Sequence, residues 1–143
     1  MAVTEDIVIE TNAADPTANV NVIESNENKI FYEFLGFIGE RRAIAAPYER
    51  TLGDSTATEA QIQEARQVLT DLGEEVGAEQ QRILDVHADK LFAKYLNMVL
   101  EPTIPEAPKN IANSKELQYR WYLDHYWDRV DFSDPRLVRD GAF

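Results

Sequence analysis

The chain has 143 residues, enough for one core, and its 44% hydrophobic and 28% charged residues are the balance of a globular protein rather than a disordered one. Its net charge of −12 argues against nucleic acid and anionic membrane surfaces as partners, since both are held by clustered lysine and arginine. It has no cysteine, which removes thiol nucleophiles, disulfides, zinc–thiolate sites and iron–sulfur clusters.

No apolar run approaches the roughly 18 residues a membrane-spanning helix needs, so no membrane insertion by this segment is expected. Met1-Ala2-Val3-Thr4-Glu5-Asp6 has neither the basic start nor the apolar stretch of a signal peptide. An exported protein would therefore have its targeting segment outside this chain.

Ile7-Val8-Ile9-Glu10 and Val20-Asn21-Val22-Ile23-Glu24 are β-branched runs separated by Asn12, Asp15-Pro16 and Asn19, which predicts a short β hairpin. A lone hairpin is marginal in water, so it either packs on the helices or is a fragment of a larger sheet; residues 1–24 read as the latter, the tail of a β-rich domain lying upstream. Residues 25–143 read as a helical domain.

Ser25 is placed to cap a first helix, with Asn28 three residues on. Phe31, Phe34, Ile38, Ala45, Tyr48 and Leu52 form its apolar face. Pro47 removes a hydrogen bond to Ala43 and predicts a kink or an end. After Gly53-Asp54-Ser55, a second helix starts near Thr56 or Thr58. Its Ile62, Ala65, Leu69, Leu72, Val76 and Ile83 have the heptad spacing of an antiparallel partner, although Gly73 and Gly77 weaken its middle.

A third helix is predicted over about 88–100, ending at Glu101-Pro102. The segment Pro102-Thr103-Ile104-Pro105-Glu106-Ala107-Pro108 must be extended, a strap with Ile104 as anchor. Ser114 caps a fourth helix over about 115–129, and Ser133-Asp134-Pro135 opens a further turn of helix. The fold class is therefore mainly α: a kinked antiparallel helical hairpin and two shorter helices, with a short N-terminal β hairpin.

Chemistry-bearing constellations are few. His87 and His125 lie in different segments, and Asp124, His125 and Asp128, which share a helix surface, read as a surface histidine among carboxylates; no metal is expected. Nothing in the spacing of the carboxylates selects a pair for acid–base work, so neither catalytic residues nor a cofactor are expected. Gly36-Phe37-Ile38-Gly39 lacks the following Lys-Ser/Thr of a phosphate loop. With Ala43 and Ala46 it makes a small-residue stripe that close helix packing explains.

The run Tyr119-Arg120-Trp121-Tyr122-Leu123-Asp124-His125-Tyr126-Trp127 is the most informative stretch. Tyr119, Tyr122, Leu123, Tyr126 and Val130 form one helix face, and Leu117, Trp121 and His125 the other. A helix apolar on both sides is either sandwiched in its domain, the plainer reading, or docks something external. The tyrosine side is broader and is expected to serve the core. That leaves Leu117, Trp121 and His125 as a candidate docking surface.

Tyr119-Arg120-Trp121-Tyr122, His125-Tyr126-Trp127-Asp128 and Val130-Asp131-Phe132-Ser133-Asp134-Pro135-Arg136-Leu137-Val138-Arg139 resemble the signature of an uncharacterised helical domain. Ile104-Pro105-Glu106-Ala107-Pro108 resembles the strap before it, and Asn28 to Phe37 its opening helix. The resemblance covers roughly residues 25–143, and Tyr126, Trp127, Asp131, Phe132, Ser133, Asp134, Pro135, Arg136 and Leu137 carry it most specifically. Asp140-Gly141 departs from the Thr-Pro common at that place.

That domain is found in exported or lipid-anchored proteins of Gram-negative bacteria, between a small β-rich domain and a TlpA- or redoxin-type thioredoxin-like domain. The resemblance implies a non-catalytic accessory segment of a periplasmic or envelope thiol–disulfide oxidoreductase, with the catalytic CxxC beyond Phe143. Its partner would be that thioredoxin-like domain or a second copy of the chain. The family's cysteines have no counterpart here, so no catalytic residue carries over. An independent cell-surface binding or assembly protein is the alternative, and an enzyme using paired carboxylates a more distant third.

Overall fold

A computed structural model of the chain describes residues 6–16, 20–106 and 114–139. Met1–Glu5, Asn19, the strap's Ala107 and Pro108, Asp140-Gly141 and Phe143 lie outside the described residues. The order of elements is β1 (Val8–Glu10), β2 (Asn21–Glu24), α1 (Asn26–Gly53), α2 (Glu59–Val86), α3 (Leu91–Val99), α4 (Ser114–His125) and α5 (Pro135–Arg139). The protein is mainly helical with a short antiparallel hairpin, as the sequence predicts. It divides into two compact units, Met1–Val86 and His87–Phe143.

In the first unit, β1 pairs antiparallel with β2, Ile9 opposite Val22, with an irregularity between Val8 and Ile9. The loop begins as an Asx turn, in which the Asn12 side chain accepts from the Ala14 backbone N–H at 2.9 Å. Ser25 then turns the chain into α1. Its Oγ accepts from the Asn28 backbone N–H at 3.1 Å and from Asn28 Nδ2 at 2.7 Å, as expected of the cap. Its φ of 114° is a conformation that L side chains rarely adopt.

Helix α1 runs through Pro47 without ending. The turn that follows is held by Asp54, which accepts from the backbone N–H and hydroxyl of Thr56 at 2.8 and 2.7 Å. Of the two threonines expected to start α2, Thr58 does so. Thr58 N–H donates to Gln61 Oε1 at 2.8 Å and Gln61 N–H to Thr58 Oγ1 at 3.4 Å, a reciprocal capping box.

Ala65, Leu72 and Ile83 are the buried positions of α2, with Ile62, Leu69 and Val76 half-buried along the same seam. This is the predicted seam, and α1 packs along it. Arg41 of α1 reaches Glu75 of α2 at 3.2 Å, its guanidinium lying over the Phe37 ring at 3.8 Å.

The small-residue stripe does not mediate close packing. A Cβ added at Gly36 or Gly39 meets nothing within 4 Å, and Ala43 is exposed. The same open space surrounds Gly73 and Gly77, where α2 continues unbroken. Two packed helices have one seam, so a residue away from it faces water whatever its size.

The second unit is built on α3, whose Leu91, Phe92, Ala93 and Leu96 are buried. It starts later than the sequence predicts, because His87–Lys90 is taken by a turn in which Lys90 N–H donates to His87 C=O at 2.8 Å. Helix α5 packs on α3 and buries Leu137 to 1% exposure.

Helix α4 ends at His125, four residues before its expected end, and the chain continues in turns closed by Asp128 N–H to His125 C=O and Val130 N–H to Trp127 C=O. Neither glycine nor proline marks this end. A tertiary bond holds the turn instead, from Asn97 Nδ2 of α3 to the Arg129 carbonyl at 3.1 Å.

Candidate functional site

The tyrosine side of α4 is not a core face. Tyr119 is 60% exposed, Leu123 51% and Tyr126 44%, and no residue of α4 is fully buried. The pattern of rings along the helix gave the faces correctly but not which of them is covered.

Of the candidate docking residues, Leu117 is exposed while Trp121 and His125 are half-buried. The Trp121 and His125 rings stack at 4.1 Å with planes 13° apart, and His125 Nδ1 lies 2.7 Å from the Trp121 carbonyl, to which it donates. Leu117 and Trp121 also line a cavity of about 130 Å³ with Ile104 and Pro105 of the strap, and Gln118 Nε2 donates to the Pro105 carbonyl at 3.1 Å. Part of this surface is thus covered by the chain's own strap.

The residues from Asp131 to Leu137 close one polar knot over one apolar plug. Asp131 Oδ1 accepts from the Ser133 hydroxyl at 2.6 Å and its backbone N–H at 3.1 Å. Asp134 caps α5 by accepting from the Arg136 backbone N–H at 3.0 Å, and takes the Arg136 guanidinium at 2.7 Å. Pro135 sits at the first helical position, where its missing N–H has no cost. Leu137 is the plug.

Lys94 of α3 ties both carboxylates, reaching Asp131 at 3.1 Å and Asp134 at 2.8 Å. The sequence reading missed Lys94, although it is the only charged residue between Leu91 and Val99, a signal that this helix meets an anion. Arg136, and then Lys94, hold the Asp134 carboxyl well below the usual carboxylate range. Ser133 and then Lys94 lower that of Asp131, while Asp134 and Asp131 push the Lys94 ammonium up.

The aromatic residues of the signature lie outside this knot. Tyr126 and Trp127 meet edge to face at 4.8 Å, and Trp127 and Phe132 lie tilted at 5.8 Å. All three are exposed, Phe132 to 63%. Tyr122 and Tyr126, together with Trp127, Val130 and Met98, line a cleft of about 340 Å³ that also takes in Glu101.

Among the described residues, no group of three or more His, Asp or Glu side chains is placed to hold a metal ion, and no helix is long and apolar enough to cross a membrane. His87 lies in the turn between α2 and α3, and His125 at the end of α4. No protein-family model, curated protein or solved structure matches this chain.

Proposed function

We propose that this chain is a non-catalytic accessory segment of an exported thiol–disulfide oxidoreductase of the Gram-negative envelope. It spaces the thioredoxin-like domain of the same protein, presents substrate to it, or pairs two copies. The observation that carries the reading is the division of labour within the residues that resemble the family. Asp131, Ser133, Asp134, Arg136 and Leu137 close the turn against Lys94 and α3. Tyr126, Trp127 and Phe132 are left with large exposed ring areas that this closure does not use. Exposed tryptophan and tyrosine are the side chains that anchor protein interfaces.

The coding sequence downstream of residue 143 tests the proposal. A CxxC motif within about 100 residues, the scale of one domain, is the expected result. A stop codon directly after residue 143 refutes it and favours the independent surface protein.

A further inference from the structure

We infer that the cleft between the end of α3 and the end of α4 binds a quaternary ammonium group. The cleft measures about 340 Å³, within the range of small-ligand sites. Tyr122, Tyr126 and Trp127 line it from one side of the sequence, Met98 and Glu101 from the other. Their rings are turned against one another: Tyr122 and Tyr126 at 65° and 5.4 Å, Tyr126 and Trp127 at 90° and 4.8 Å.

Among the described residues, Glu101 is the only carboxylate lining the cleft, and neither lysine nor arginine lines it. Among the described residues no ion pair involves Glu101. Its charge is felt inside: burial, and then Glu101, push the Tyr122 phenol up from its ordinary value.

The chemistry selects the occupant. A neutral apolar ligand would gain nothing from the Glu101 charge. A primary ammonium brings three N–H donors and a guanidinium five, which must exchange bulk water for the side-chain acceptors of the cleft, Glu101 and the Tyr122 and Tyr126 hydroxyls. A quaternary ammonium has no donor to satisfy, is weakly hydrated, and is attracted by aromatic faces and by the carboxylate together.

The test uses the 143-residue chain carrying Trp121→Phe, which leaves Trp127 as its only tryptophan. Its fluorescence is titrated at constant ionic strength with choline chloride, with the neutral carbon isostere 3,3-dimethyl-1-butanol, and with ethanolamine. Choline is expected to give a saturable change about tenfold tighter than either. Glu101→Gln should weaken choline by about the same factor without altering the response to the isostere, and Glu101→Asp, which keeps the charge, should restore most of it. Far-UV circular dichroism confirms that each variant is folded. Equal responses to choline and the isostere, ethanolamine binding as tightly as choline, an unaffected Glu101→Gln variant, or no saturable response to choline each overturns the inference.

Discussion

Leu137→Ala tests whether the turn is held by its apolar plug as well as by its ion pairs. Leu137 is 1% exposed on a helix of only five residues, Pro135–Arg139. Such a helix has no stability of its own, so its place depends on what it buries. Trimming leucine to alanine removes about three carbons, worth roughly 2.4 kcal/mol at ~0.8 kcal/mol per buried methylene. The space left behind adds a cavity cost, moderated because a short surface helix can settle inward, which places the total near 3 kcal/mol.

Trp121 and Trp127, the only tryptophans, both belong to the second compact unit, so tryptophan fluorescence reads that unit directly. With a urea slope near 1 kcal/mol per molar for so small a unit, the fluorescence midpoint should fall by roughly 3 M. Phe132→Ala, at an exposed position, should move it by less than about 0.5 M. A loss below about 1 kcal/mol for Leu137→Ala refutes the reasoning, because it would mean that α5 is held by its polar contacts alone.

Gly36→Ala, Gly39→Ala, Gly73→Ala and Gly77→Ala should each stabilise the first unit by about 0.5–1 kcal/mol, since alanine restricts the unfolded chain and its methyl meets open space. A lower thermal midpoint in any of them shows that the position is packed. Ser25→Ala should lose about 1 kcal/mol with the cap, whereas Ser25→Gly loses the cap but relieves the positive φ. Ser25→Gly should therefore be the more stable in thermal melts followed by circular dichroism, and the opposite order would rule out strain at this residue. The Asp134 and Asp131 carboxyls are depressed, so their contribution is full above the unfolded carboxylate pKa of about 3.9 and is lost as pH falls below it. Lys94 is raised, so its contribution is full below about 10.4 and is lost as pH rises further. The stability difference between the native chain and Lys94→Met should accordingly be flat across neutral pH and shrink below pH ~4; a difference unchanged down to pH ~2 would disconnect Lys94 from both aspartates.

Elements whose signals are local were legible in the sequence. The Ser25–Asn28 cap, the seam of α2 and the Ser133-Asp134-Pro135 start of α5 each follow from side chains within a turn of one another. What failed was set from a distance. The end of α4 has no breaker in its own residues and is held by Asn97, some thirty positions earlier. The face that α4 buries was misjudged because ring spacing gives the faces but not their neighbours. Glu79 occupies a half-buried seam position of α2, where the heptad alone asks for an apolar side chain, and pairs with Arg82 at 2.7 Å. At the Asp131–Leu137 turn the capping residues Ser133, Asp134 and Pro135 were visible in the sequence, but their partner Lys94 was not, since it is brought to them only by the packing of α3 against α5.

The corner at Ser25 also bears on the hairpin before it. Both strands carry β-branched residues on each face: Ile9 and Val22 are half-buried while Val8 and Ile23 are exposed. Hydrophobic alternation therefore gives little preference between the observed pairing and one slipped by a residue, a shift that would invert every side chain. Strand β2, however, ends at Glu24, directly against a serine already committed to Asn28 in the first turn of α1. The helix thereby acts as a stop for the strand, and sliding β2 by one place would unseat the cap. Alignment of the two strands is in this sense borrowed from α1. An inserted residue between Glu24 and Asn26 would be felt first as mispairing at Val8 and Ile9, not as loss of helix.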